Sequence, residues 1–282
     1  MSRAEVDLAA TAAADPAEEP LPAAILSRDG DRLVPSPLAQ GPWHPGHMHG
    51  GPVCGVLGRA IEACASPVPM RVARMTVEMT RAVPLAPFAV RAEVTRAGRR
   101  IQQIDARIEA EGRVLARATA LRVRIAEPDP EAAIPAPESV PVRGADAPPD
   151  PVLRSRFVPG FIRAMHFVRA RLPDPVEGGL TWARLRVPLV AGEPTSPFVN
   201  LATLCDFASG TGNALDFERY TSINPDLSLH VLREPRGPWL ALRAWSAVEA
   251  EGLGQSTATL FDEEGVVARA LVSLLVERRR EG

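Results

Sequence analysis

The chain changes its hydrophobic rhythm several times, and each change marks an element. Val53, Val56, Leu57, Ala60, Ile61 and Cys64 recur at spacings of three and four, the stripe of a helix with one buried face. In RVARMTVEMTR the period drops to two. Ala73, Met75, Val77 and Met79 alternate with Arg74, Thr76, Glu78 and Thr80, which predicts a strand covered on one side. Phe88, Val90, Ala92 and Val94 repeat the alternation as an inward face. IDARIEAEG and VLARATALRVRI continue it around a hairpin turn at Glu111 and Gly112. One helix against a long antiparallel meander is the expected unit.

That unit occurs twice. Shifted by about 152 residues, the segment from Met75 lies over the segment from Leu227, with Arg81 on Arg233, Arg91 on Arg243 and Ala92 on Ala244. EAEGRVLARA likewise lies over DEEGVVARAL with a one-residue slip. A helix over residues 201–215, LATLCDFASGTGNAL, falls over the first helix; its stripe is Leu201, Leu204, Cys205, Ala208, Gly212 and Leu215. Residues 1–22 are Ala, Glu and Pro without periodicity and predict a disordered tail. Residues 126–152 repeat that composition with many prolines and predict a semi-extended linker between an N-terminal unit at 23–125 and a C-terminal unit at 153–282.

Composition removes several function classes. A formal net charge of -2 gives no general attraction to nucleic acid or an anionic membrane. All 32 basic residues are Arg, which excludes Schiff-base chemistry and a phosphate-loop lysine. The start of the chain lacks the basic and apolar regions of a signal peptide, and no stretch reaches membrane-spanning length, so a cytoplasmic protein without a membrane partner is expected. Three scattered cysteines form no metal or redox motif. No Gly-x-Ser-x-Gly elbow or dinucleotide fingerprint occurs.

The segments GPWHPGHMHGGPVCGVLGRAIE, RVARMTVEMTRAVPLAPFAVRAEVTRAGRR and CDFASGTGNAL, followed by INPDLSLHVLREP and a last strand ending LVSLLVERR, have a distinctive order. In that order the chain resembles the double-hotdog acyl-CoA thioesterases, the type II-like branch of the 4-hydroxybenzoyl-CoA thioesterase-like superfamily. The resemblance covers roughly residues 23–125 and 153–280, with TWARLRVPLV as an opening strand of the second repeat. It implies an α+β double hotdog: two tandem repeats, each a curved antiparallel sheet wrapped around a long central helix. It further implies a small acyl thioester, CoA- or carrier-bound, as partner, implies no cofactor and no metal, and allows a homodimer.

Candidate chemistry gathers at two helices. At HMHGG, a helix start offers unpaired amides and partial positive charge, so Gly51, with Gly50, can receive a thioester oxygen as it becomes negative. Gly50 and Gly51 let a ligand approach the backbone, and His49 orients the turn or contacts the acyl group. The glycines could instead serve only a tight turn. His44, His47 and His49 could be metal ligands, although Pro45 and Gly46 interrupt them and no carboxylate or thiolate completes the set. On the second helix Asp206 is the carboxylate at the edge of an apolar stripe, a candidate to activate water or else a surface or locally satisfied Asp. Asn224 and Ser228 stand where the next strand begins.

By resemblance to type II thioesterases, Asn224 takes the place of a hydroxyl residue that shares the nucleophilic water with a helix Asp and a last-strand Gln. Gly210 then falls on the Asp position and Val272 on the Gln position. Asp206 lies one turn before Gly210 and shares its face; LCDFA also matches the LADxA pattern of single-hotdog phenylacetate-type thioesterases. The leading expectation is a thioesterase with Asp206 as general base, helped by Asn224, and Gly50 and Gly51 amides at the oxygen. A non-catalytic acyl binder and a hotdog dehydratase, which would need His49 or His230 opposite Asp206, are the rivals.

Overall fold

The protein is described by a computed structural model that covers residues 20–143 and 160–279. The first repeat comprises β1 (Leu26–Asp29), β2 (Arg32–Pro35), α1 (Gly50–Ala63), β3 (Met70–Glu78), β4 (Phe88–Arg96), β5 (Ile101–Ala110) and β6 (Arg113–Arg124). The second comprises β7 (Met165–Arg171), β8 (Gly179–Leu185), α2 (Pro197–Leu204), α3 (Phe207–Gly212), β9 (Tyr220–Ile223), β10 (Asp226–Val231), β11 (Leu240–Val248), β12 (Leu253–Phe261) and β13 (Val266–Arg278). The strands join in the order β1-β2-β4-β5-β6-β3-β10-β13-β12-β11-β8-β7, with β9 on β13. The two repeats therefore share one continuous sheet wrapped around the helices rather than forming a sheet each.

The order reads the same from either end once the repeats are superposed, and its centre lies between β3 and β10. There Thr76 pairs with Ser228, and their hydroxyls sit 3.1 Å apart. Those residues are 152 positions apart, the shift that superposes the repeats. Each is the other's counterpart, so a pseudo-twofold axis passes between them, as in a homodimer fused into one chain.

The helices cross that axis antiparallel. A Cβ on Gly50 would meet the Asp206 carboxylate at 2.6 Å, one on Gly58 would meet Phe198 at 3.2 Å, and one on Gly55 would overlap the Thr203 hydroxyl. Gly55 is thus the residue that lets the two backbones come together at the axis. Val53, Val56, Leu57 and Ile61 turn the rest of α1 into the sheet, where truncation of Ile61 to Ala would cost about 2–5 kcal/mol. The carbonyls at the end of α1 are satisfied by buried Arg122 of β6, which donates to Ile61 and, at 2.8 Å, to Cys64.

Four sequence expectations are corrected. The second helix starts at Pro197, not Leu201, and ends at Gly212; it is interrupted after Leu204, where Ala208 N–H bonds Cys205 at 3.1 Å, a three-residue rather than four-residue step. In β3 a bulge between Val72 and Arg74 switches the phase, so Val72 is buried where Ala73 was expected. Val94 is 36% exposed because β4 runs past the helix that covers its start. Residues 126–143 are not a free linker. Ala136 and Val140 pack on a second cluster with Trp182, Trp239 and Phe261, and the Arg143 guanidinium lies 4.6 Å from the Trp239 ring centroid. The rest of the linker expectation, the start of the C-terminal unit and nearly all of the expected tail lie outside the described residues. The hairpin turn between β5 and β6 is present, with positive φ at Glu111 and Gly112 (51° and 72°), as a type I′ turn requires.

Candidate active site

His49 ends the extended approach to α1 with φ −70° and ψ 148°, the conformation of a helix-capping residue. Its ring turns back over the first turn of the helix. Asp206 reaches the same point from the opposite helix, at the step between α2 and α3, because the antiparallel crossing places residue 50 against residue 206. The His49 Nδ1 and Asp206 Oδ2 atoms are 2.9 Å apart, and Asn224 Nδ2 donates to Asp206 Oδ1 at 2.9 Å. Asp206 is only 4% exposed.

Two contacts compete for one nitrogen. Gly51 N lies 3.0 Å from His49 Nδ1, the geometry of a cap in which Nδ1 accepts. Nδ1 cannot accept there and donate to Asp206 at once. The carboxylate decides between them: burial pushes its pKa up, but the hydrogen bond and charge of His49, the Asn224 amide and the Gly51 amide outweigh burial, and the net displacement is downward. An ionised Asp206 has no proton to give, so Nδ1 carries one and Gly51 N–H turns to the carboxylate. Asp206 thus receives three donors, and Nε2 is the ring nitrogen that does not face the carboxylate. Among the described residues no hydrogen bond occupies that Nε2.

The ring is held by aromatic neighbours. Phe161 and Phe207 lie 4.9 and 5.0 Å from His49 by centroid, and Phe167 meets Phe207 edge-on at 5.0 Å. Beside them opens a cavity of about 90 Å³, lined in part by His49, Asp206, Asn224, Phe207, Gly210 and Ser222.

The structure brings together His49, Gly50, Gly51, Asp206 and Asn224, with Gly210 on the cavity wall. A Cβ at Gly210 would meet nothing nearer than Phe207 at 3.9 Å, so the position that the resemblance gives to a carboxylate is open rather than filled. Two expected site residues lie elsewhere. Ser228 sits on the pseudo-twofold axis; its neighbours Leu227 and Leu229 face the core, so it faces the outer groove with His230. Val272 is fully buried opposite Ser256 in the β12–β13 ladder and does not line the cavity. The Gly51 amide is not open to a ligand, since the Asp206 carboxylate engages it beside His49. Gly50 N–H has no partner among the described residues.

His44 and His47 stack on each other at 4.2 Å, and His44 Nδ1 accepts from Gly46 N–H, whereas His49 turns to Asp206. Among the described residues no three His, Cys, Asp or Glu groups converge as a metal site. No helix there is long and apolar enough to cross a membrane. Sequence reasoning missed Phe161, Phe167, Thr181 and Ser222, which are scattered along the chain and carry no motif, while Asn213 was marked only by its i+7 spacing from Asp206. Phe207, directly beside Asp206, was the one aromatic that adjacency could have indicated.

Two family models match the chain in tandem, one over each repeat. The acyl-CoA thioesterase N-terminal domain matches residues 39–123, and the acyl-CoA thioesterase C-terminal domain matches residues 137–276. The chain belongs to the acyl-CoA thioesterase family. Its C-terminal match begins inside the proline-rich segment, consistent with the packing of Ala136 and Val140 on the second repeat. Among solved structures, the thioesterase is similar to a protein assigned as thioesterase II from Thermobifida fusca YX (20% identity, 91% of this chain and 96% of that one, TM-score 0.68). It is also similar to acyl-CoA thioesterase II TesB2 from Mycobacterium marinum (18% identity, 91% and 96%, TM-score 0.61). The dehydratase domain of PpsC from Mycobacterium tuberculosis shares the fold more loosely (17% identity, 82% and 85%, TM-score 0.50). These identities speak to the fold. Among curated proteins no sequence match was found.

Proposed function

We propose that this thioesterase hydrolyses acyl-CoA through water activated at His49 Nε2, with Asp206 holding the imidazole and the Gly50 N–H facing the thioester oxygen. The observation that carries the reading is the 2.9 Å contact between His49 Nδ1 and Asp206. It supports a tautomer whose Nε2 can take a proton, and it would give the developing imidazolium an anionic partner. Asp206 is a positioning residue here, not the base that its place in the sequence suggests, because its oxygens already accept from three donors.

The step balances without a covalent intermediate. His49 Nε2 takes a proton from water as the oxygen bonds to the thioester carbon. The carbonyl oxygen gains negative charge at the start of α1, where the helix dipole and the Gly50 amide favour it. The C–S bond then breaks, and the leaving CoA thiolate takes the proton from the imidazolium. The free acid and CoA are the products.

Thiol release from a panel of acyl-CoAs tests the assignment. His49→Gln and Asp206→Asn should each lower kcat/KM by roughly 10²–10⁴, the range for general acid–base catalysis. Near-normal turnover in His49→Gln with loss only in Asp206→Asn would return the role of base to Asp206.

One observation supports a second reading. A histidine against an acidic residue at a hotdog helix start is also what a dehydratase needs, and His49 meets Asp206 there while His230 faces the outer groove. A 3-hydroxyacyl-CoA separates the two: hydrolysis frees a thiol, whereas dehydration yields an enoyl thioester and no thiol.

A further inference from the structure

A second cavity, of about 260 Å³, opens where α2 begins, between the start of β3 and the ends of β6 and β10. It shares no residue with the cavity beside His49. Four of its lining residues carry charge, Arg71, Arg124, Arg233 and Glu234, and the other ten are apolar. Part of that apolar wall is open to solvent. Val123, Ile125 and Leu232 are 36%, 40% and 65% exposed, whereas Phe198 and Leu201 of α2 are buried beneath them. Aliphatic side chains gathered around one opening are a surface that an apolar ligand gains by covering.

The chemistry of the first junction is absent here. Val72 stands 152 positions before Asn224, the shift that relates Thr76 to Ser228, so an aliphatic group takes the place of the amide that holds Asp206. After its cap α1 begins with Gly50 and Gly51, whereas α2 begins with Pro197 and Phe198. Proline has no N–H, and the Val199 N–H is already taken by Ser196 Oγ. This helix start therefore has no counterpart of the Gly50 amide to receive a thioester oxygen. Room for a chain is kept where the means to cleave its thioester are missing.

The charged rim selects the head group. Arg233 is committed to Asp262, at 2.6 Å through both terminal nitrogens, and Arg71 Nε lies 3.8 Å from Glu234. Glu62, the nearest further acid, is held by Ser196 and lies outside the lining. Arg124 is exposed and has no acidic partner among the described residues. One positive charge at the rim is thus unmatched. A carboxylate meets it with a charge-assisted hydrogen bond, a neutral head gains less, and an ammonium is repelled.

We infer that this cavity binds a free medium-chain carboxylic acid, its chain against Val72, Ile125 and Leu232 and its carboxylate on Arg124, apart from the reaction centre. The length follows from the volume: roughly 150 Å³ holds benzene, so the larger room here suits a chain of about eight carbons. A free acid is the kind of product that thioester hydrolysis releases. The binding itself does not depend on how His49 and Asp206 act.

Calorimetry on the full chain with octanoate, octanol and octylammonium is the test, and it needs no turnover. Octanoate should bind saturably and about tenfold or more tighter than octanol, with octylammonium weaker than either. Arg124→Glu should abolish the preference for octanoate over octanol, and Leu232→Asp should weaken both by about tenfold or more. Both positions are exposed, so the melting temperature should hold, and thiol release from acyl-CoA should stay within a few-fold because neither residue lines the cavity beside His49. Octanoate bound as tightly by both variants as by the parent sits elsewhere, and that result overturns the inference. Equal affinity for octanol and octanoate, or no saturable binding of octanoate, overturns it too, and each leaves the hydrolytic reading standing.

Discussion

Duplication gives this protein two helix starts facing two opposite helices, and only one has become a reaction centre. At the start of α1, His49 caps the helix and meets Asp206 at 2.9 Å. At the start of α2, Ser196 caps the helix, accepting from Val199 N–H, and donates to Glu62 of α1 at 2.5 Å. The plan is the same: a capping side chain touches an acid from the antiparallel partner. The surroundings differ. His49 lies among phenylalanine rings beside a cavity of about 90 Å³, whereas the Ser196 junction opens on a space of about 70 Å³ lined by the ion pair of Arg59 and Glu193, bonded through both guanidinium contacts at 2.6 and 2.8 Å. A serine held by a carboxylate has no group that exchanges a proton near neutrality; an imidazole does. Equivalent places in a duplicated fold thus acquire chemistry from the side chain at the cap and from the groups that line the space beside it.

The strongest way to break this comparison is to remove the acid from each junction and measure thiol release. Asp206→Asn should lose roughly 10²–10⁴ in kcat/KM, whereas Glu62→Gln and Ser196→Ala should stay within a few-fold of the parent. A large loss at Glu62 would mean that both junctions serve the reaction. A methyl group makes the next test. Gly50→Ala drives a Cβ to 2.6 Å from the Asp206 oxygens, so turnover should fall by about 10²-fold, the scale of a 1 Å misplacement. Normal turnover there would show that the carboxylate need not be held where it is.

Stability against pH sharpens the contrast, because the two acids are displaced in opposite directions. The folded pKa of Asp206 lies below its ordinary value, since its three donors outweigh burial. Its contribution to stability is therefore present above the ordinary carboxyl pKa and is lost as pH falls through the folded one. For Glu62 burial dominates, ahead of the opposing Ser196 hydrogen bond, and the folded pKa is raised. Its contribution is full below the ordinary value and is lost as pH rises through the folded one. Urea unfolding at neutral pH should find Asp206→Asn less stable by about 1–3 kcal/mol, a deficit that shrinks in acid. Thr181→Val, beside the first junction only, should add about 1 kcal/mol by removing an orphan hydroxyl. Glu62→Gln should be the more stable form at neutral pH by less than about 1 kcal/mol, with the gain vanishing in acid. The reverse sign at Glu62 would show that its hydrogen bond, not its burial, governs that junction.

Much of the architecture is readable from spacing. The helix stripe from Val53 to Ile61, the Glu111–Gly112 hairpin and the repeat that lays Thr76 over Ser228 all follow from local pattern. What local pattern misses are departures from strict period: the bulge that buries Val72, and the step that breaks the second helix at Asp206. The site was half legible. An acid on an apolar helix and a Gly-rich helix start marked Asp206, Gly50 and His49, but Ser228 was chosen only for its place at the start of a strand and Val272 by alignment to relatives. One faces the wrong side of the sheet and the other lies inside the core. A one-residue difference on a strand reverses the face, and similarity cannot resolve that at such distance.

Periodicity and duplication were enough for the two-repeat hotdog, because burying an apolar stripe against an alternating sheet is dictated by local geometry that each repeat carries in its own residues. The division of labour between His49 and Asp206 was not within their reach. It depends on which nitrogen of one ring faces a carboxylate 157 positions away, and on how many donors that carboxylate already accepts. Only the close antiparallel crossing at Gly50 and Gly55 brings those groups within hydrogen-bond distance, and protonation there follows from burial and neighbours rather than from residue type.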